Sequence, residues 1–126
     1  MANEISINLS INVSKNGAKF SRQESFTDDM SGDAWITGVQ QVSTNEDLIT
    51  HEDLDTTYGW VYLKNCGTSQ SDYVDFGRES IGDATDKICR LYGGESCILK
   101  TAGLTSTVYA LSSSGTQAVE YAMIEL

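Results

Sequence analysis

The run Ile5-Ser-Ile-Asn-Leu-Ser-Ile-Asn-Val-Ser14 alternates an aliphatic residue with a small polar one without a break. Successive side chains of an extended strand point to opposite faces, whereas a helix repeats its faces about every 3.6 residues, so only a strand keeps this pattern in register. It places Ile5, Ile7, Leu9, Ile11 and Val13 on one face and Ser6, Asn8, Ser10, Asn12 and Ser14 on the other. Lys15-Asn-Gly17 supplies a turn, and Ala18 to Thr27, with Phe20 and Phe26 at even spacing, returns as a second strand. The uncharged face has two uses open to it: contact with solvent, or contact with a neighbouring chain through Ser6, Asn8, Ser10 and Asn12.

The rest of the chain continues in the same idiom. Tyr58-Gly-Trp-Val-Tyr-Leu-Lys-Asn65 has the aromatic and β-branched density of a largely buried strand. The polar stretch Asn65 to Ser71 is expected to reverse the chain, so that Tyr73 to Phe76 pairs with Trp60 to Leu63 as a central hairpin. Ala34 to Ser43 reads as a strand in which Gly38 marks a bulge or the close approach of another backbone. A short strand at Leu48 to Thr50, a turn through Glu52 to Thr57 and a polar connection from Gly77 to Asp86 complete the middle of the chain. Lys87 to Tyr92 and Glu95 to Thr101 flank Gly93-Gly94, the signal of a tight hairpin. That pairing sets Cys89 opposite Ile98 and Arg90 opposite Cys97, which sends the two sulfurs to opposite faces. A Cys89–Cys97 disulfide would then need a longer loop or a bulge, and three reduced thiols serving as small apolar residues are expected. Thr105 to Leu111 and Ala118 to Leu126 supply closing strands, the last tied into a sheet. Eight or nine strands and no helix predict an all-β, antiparallel β-sandwich forming a single domain over residues 1–126.

Charge narrows the function. With a net charge of −10 and only eight basic residues, the chain lacks the clustered Lys and Arg that replace counterions on nucleic acid or meet an anionic membrane. No apolar run is long enough to span a bilayer and Met-Ala-Asn-Glu-Ile5 does not start like a signal peptide, so a soluble protein made in a cytoplasm is expected. The three cysteines Cys66, Cys89 and Cys97 are an odd number, which argues against a secreted disulfide framework, and they lack zinc-site spacing. Thr27 to Asp33 is acidic but lacks the spacing of a calcium loop. One histidine, His51, builds neither a triad nor a ligand cluster, and no nucleophile elbow or phosphate loop is present. A paired-carboxylate mechanism is the one hydrolytic chemistry that eighteen acidic residues leave open. The expectation is a non-enzymatic protein without catalytic residues, metal or cofactor.

Ile36-Thr-Gly-Val-Gln-Gln-Val42, Tyr58 to Asn65, Asp72-Tyr-Val-Asp-Phe-Gly77, Gly93-Gly-Glu-Ser-Cys-Ile-Leu99 and Val119-Glu-Tyr-Ala-Met-Ile-Glu125 follow one another in an order that resembles small virion proteins of tailed bacteriophages. Over about residues 34 to 126 the nearest kind is the jelly-roll head decoration, or cement, protein. The cysteines depart from that pattern, and the family brings no catalytic residues. The resemblance implies a jelly-roll-like sandwich on the outer surface of a phage head, made in the host cytoplasm. Its partners would be the major capsid protein and further copies of itself, as a dimer or trimer. The alternative is a tail or fibre module that binds another virion protein, or a host-surface glycan through exposed aromatics such as Trp35 or Tyr109.

Overall fold

The computed structural model describes residues 4–30, 35–45, 47–48, 58–77, 87–104 and 108–125. Where one sandwich was expected over residues 1–126, the chain divides into two compact units, Met1–Gly32 and Asp33–Leu126. The first holds β1 (Ile5–Lys15) and β2 (Ala18–Asp28), which among the described residues pair only with each other. Asn16 and Gly17, with φ of 52° and 82°, supply the left-handed pair that a two-residue hairpin turn requires. From that turn the register runs unbroken, Lys15 opposite Ala18 through to Ile5 opposite Asp28. All of these pairings are local, so the ribbon sets its own register.

The second unit contains β3 (Trp35–Val42), β4 (Asp47–Leu48), β5 (Tyr58–Asn65), β6 (Tyr73–Gly77), β7 (Lys87–Tyr92), β8 (Ser96–Leu104), β9 (Tyr109–Ser112) and β10 (Gln117–Glu125). With the ribbon this makes ten strands among the described residues, one of them only two residues long, where eight or nine were expected. Among the described residues there is no helix, and so none able to cross a membrane. Two four-stranded antiparallel sheets form, ordered β3-β10-β5-β8 and β4-β9-β6-β7. Earliest strands pair with latest: β3 with β10, β4 with β9, β5 with β8 and β6 with β7. The eight strands are thus a strip doubled back on itself and rolled, successive pairs falling in opposite sheets. Val42, Val61, Leu63, Val119 and Met123 from one sheet meet Val74, Phe76, Leu91 and Ala110 from the other, which makes the unit an antiparallel β-sandwich.

The expected hairpin between β5 and β6 does not form. β5 lies between β10 and β8, while β6 lies between β9 and β7, so the connecting loop carries the chain from one sheet to the other. Asn65 causes the departure. Its Oδ1 accepts a hydrogen bond from Gly67 N (2.9 Å), an Asx-type turn that bends the backbone out of the sheet. The Gly93-Gly94 turn is tight, with Glu95 N donating to Tyr92 O (3.0 Å), but it too is a corner between sheets and not a hairpin. The backbone of Asn65 holds that corner over the edge, donating to Glu95 O (3.0 Å) and accepting from Gly94 N (2.8 Å). As a result Cys89 and Cys97 do not point to opposite faces of a ribbon: their sulfurs meet 3.6 Å apart.

Gly38 sits in regular register opposite Tyr121, whose ring lies where a Cβ would be, 2.8 Å from its hydroxyl oxygen. What comes close there is an aromatic side chain, neither a bulge nor a second backbone. Both faces of β5 are covered, as its composition suggests, because Trp60 is buried on the side away from Val61 and Leu63, with the Lys100 ammonium 5.4 Å from its ring centre. Of the strand expected at Leu48 to Thr50, β4 retains Leu48. Residues 49–50, the turn through Glu52 to Thr57, His51 and residues 78–86 and 105–107 lie outside the described residues.

Candidate functional site

The ribbon is the part of the molecule whose surface is least like that of a closed domain. Alternation along β1 and the register about Asn16-Gly17 put Ser6, Asn8, Ser10 and Asn12 on one face, opposite Thr27, Ser25, Gln23 and Ser21. All four of these β1 residues are exposed. Two of them already have partners within the ribbon: Asn8 Oδ1 accepts from Ser25 Oγ (2.7 Å) and Asn12 Oδ1 accepts from Ser21 Oγ (2.5 Å). These cross-strand bonds use the acceptors an approaching chain would want, leaving the amide NH2 groups as the outward-facing donors.

Toward the turn the opposite, apolar face is not buried. Ile5 and Ile7 are buried, but Leu9, Ile11, Val13, Phe20 and Phe26 keep between 42% and 52% of their surface in water. Arg22 lies against this patch, its guanidinium carbon 4.8 Å from the Phe20 ring centre. Scattered apolar residues on a surface need no explanation, but five on one face of a two-stranded ribbon do. Such a ribbon is marginally stable on its own, and covering this face is worth about 25 cal/mol for each Å² removed from water. The signal was present in the sequence, since counting outward from Asn16-Gly17 sets Leu9 opposite Glu24 and Ile11 opposite Arg22. A face with charges interleaved among its aliphatics suits a surface that another protein covers better than a sealed core.

The aromatics suggested for glycan stacking are not brought together. Trp35 is 60% exposed at the start of β3. Alternation against the inward Val42 puts it on the outer face of one sheet, while Tyr109, next to the inward Ala110, is half-buried on the outer face of the other.

Asp75 is the buried carboxylate that could have served acid–base chemistry, but its oxygens are fully engaged. Arg90 grips it in a fork, Nε to Oδ1 at 2.7 Å and a second nitrogen to Oδ2 at 3.0 Å, and Lys87 Nζ lies 3.1 Å from Oδ2. Burial pushes the carboxyl up, yet the hydrogen bonds from Arg90 and Lys87 outweigh it and hold Asp75 below the usual carboxylate range. A general acid needs the opposite shift, so the cluster reads as a structural clamp on the outer face of β6 and β7. A carboxylate depressed in the folded state adds stability above its unfolded value, near pH 4, and loses it as pH falls through the lower folded value. Asp75→Asn is therefore expected to flatten the decline in urea midpoint below about pH 4, which a pH series of urea titrations measures. Among the described residues no three His, Cys, Asp or Glu side chains are grouped as metal ligands.

No protein family, curated protein or solved structure matches this chain.

Proposed function

We propose that this protein is a non-enzymatic decoration protein of a tailed-phage head, made in the host cytoplasm, which binds the outer surface and holds neighbouring major capsid subunits together. The observation that carries the reading is the exposed apolar face of the ribbon. Strands of eleven residues reach about 35 Å, long enough for one ribbon to lie along one subunit and touch the next. Its apolar residues give adhesion, while Ser6, Asn8, Ser10 and Asn12 present uncharged donors that a capsid surface or a second copy in a dimer or trimer can accept. Pairing earliest strand with latest supports reading the sandwich as a jelly roll, an architecture common in virion proteins. A net charge of −10 suits a particle exterior and discourages adhesion to the packaged DNA.

Capsids stripped of the protein are expected to lose resistance to heat and osmotic shock and to regain it on adding the wild-type chain. An Ile11→Asp/Val13→Asp variant is expected to bind them at least about tenfold more weakly, because it removes two apolar side chains and puts two carboxylates into the covered face, only the one at position 11 lying opposite a cation, Arg22. If stripped capsids are as resistant as intact ones, the reading fails. The second reading, a tail or fibre module, is favoured by Trp35 alone, and glycan-array binding lost in Trp35→Ala would support it.

A further inference from the structure

Cys89 and Cys97 belong to different sheets. Cys89 lies on β7 opposite Phe76, and Cys97 lies on β8 opposite Leu63. Phe76 and Leu63 are both core residues, so the two thiols share their inward orientation and pack against the core from either side. β7 and β8 are also the edge strands on the same side of the sandwich. The corner at Gly93-Gly94, pinned to the Asn65 backbone, joins them and holds the sulfurs 3.6 Å apart with both cysteines free. A disulfide between them needs the sulfurs to close by about 1.5 Å, to the usual bond length near 2.05 Å.

We propose that Cys89 and Cys97 are a cross-linking site, at which a small-molecule disulfide such as oxidised glutathione converts the thiol pair into an intramolecular bond that staples the two sheets along their β7–β8 edge. The Cys97 thiolate attacks one sulfur of glutathione disulfide, forming a mixed disulfide and expelling one glutathione thiolate. Cys89 then attacks the Cys97 sulfur, and the second glutathione thiolate leaves. The two thiol protons pass to the departing thiolates, so two protein thiols are oxidised while one glutathione disulfide is reduced to two thiols. Either thiol can donate across this contact; with Cys97 as the acceptor the shared hydrogen bond pulls Cys97 down against the push of burial and pushes Cys89 up, which gives this order, and the reverse order yields the same disulfide. Cys66 is outside the pair, its sulfur directed at Lys64 O (3.9 Å), and because it is exposed and open to glutathione it is replaced in the test. The inference does not depend on the capsid reading, since it needs only an environment that supplies the oxidant.

The test uses the full chain with Cys66→Ser, equilibrated against glutathione buffers of rising oxidised fraction, quenched with acid and alkylated. The expected result is that both remaining thiols disappear together, with a mass loss of about 2 Da and no retained glutathione. Trypsin, cutting after Lys87, Arg90 and Lys100, then releases residues 88–90 joined to residues 91–100. The thermal midpoint rises by about 5 °C or more and falls back with dithiothreitol. In a Cys66→Ser/Cys89→Ser chain, Cys97 is expected to retain one glutathione and the midpoint not to rise. Peptide mapping of the unsubstituted chain gives the same readout without reliance on any variant. Stable single glutathionylation of the pair, thiols still alkylatable in fully oxidised buffer, or an equal midpoint rise in the chain lacking Cys89 would each overturn the proposal.

Discussion

Asn65→Ala is expected to remove about 3–5 kcal/mol of folding stability, read as a lowered urea midpoint with an unchanged slope. The side chain is fully buried at the end of β5 and makes three hydrogen bonds that nothing else in the site can replace. Nδ2 donates to Leu91 O (3.0 Å) and to Gln117 Oε1 (2.8 Å), and Oδ1 accepts from Gly67 N (2.9 Å). Gln117 passes the network on, its Nε2 donating to Ser112 Oγ (2.9 Å) and Tyr73 O (3.2 Å). Two side-chain amides, Asn65 and Gln117, therefore connect β5 to β7, β9 and β10 and to the start of β6. Alanine leaves the Leu91 carbonyl and the Gln117 amide oxygen stranded in buried surroundings, each costing about 1–3 kcal/mol, and also releases the N–H of half-buried Gly67. Asn65→Leu, which restores the volume but none of the bonds, is expected to be no better. A loss below about 1 kcal/mol would mean that water enters and replaces the side chain.

Gly93→Ala is expected to cost about 2–4 kcal/mol, and its neighbour Gly94→Ala only about 1 kcal/mol. The two glycines of the corner are required for different reasons. At Gly93 a Cβ would lie 2.4 Å from Ser69 O and 2.8 Å from Gly67 O, both backbone atoms. Gly93 N also donates to Ser69 O (2.9 Å), so relieving the clash breaks a bond. At Gly94 nothing lies within 4 Å, and the constraint is φ of +86°. Thermal unfolding of the two variants side by side decides the order. Equal losses would show that the loop holding Ser69 gives way easily.

The strands themselves were legible because each is a local pattern: alternation in β1, aromatic density in β5, and apolar runs separated by turn formers elsewhere. Partners were legible only where they too are local, as in the ribbon, whose turn alone sets the register. At Asn65 to Asp72 and at Gly93-Gly94 the residues give turn signals, and a turn signal reads equally well as a hairpin or as a corner between sheets. The decision is made by Asn65, whose partners Leu91 and Gln117 are 26 and 52 residues away, a separation that no local pattern carries. The same misreading put Cys89 and Cys97 on opposite faces. For the ribbon, alternation alone placed Ser6, Asn8, Ser10 and Asn12 together on one face, and the strand register keeps them there. The exposure of Leu9, Ile11 and Val13 does not follow from alternation, which shows that a strand has an apolar side without showing what covers it.

The position of β10 sets a timetable for synthesis. Residues 117–125 lie between β3 and β5 and hydrogen-bond to both, so neither sheet edge is satisfied on that side until they have left the ribosome. The ribbon, made before the body and closed by its own turn, can pair within microseconds, while the body waits for a strand about eighty residues downstream of β3. During that wait β3 and β5 are open edges of the kind that recruit neighbouring chains. A nascent chain stalled before residue 117 thus carries a ribbon that has all of its own strand pairing and a sandwich that does not.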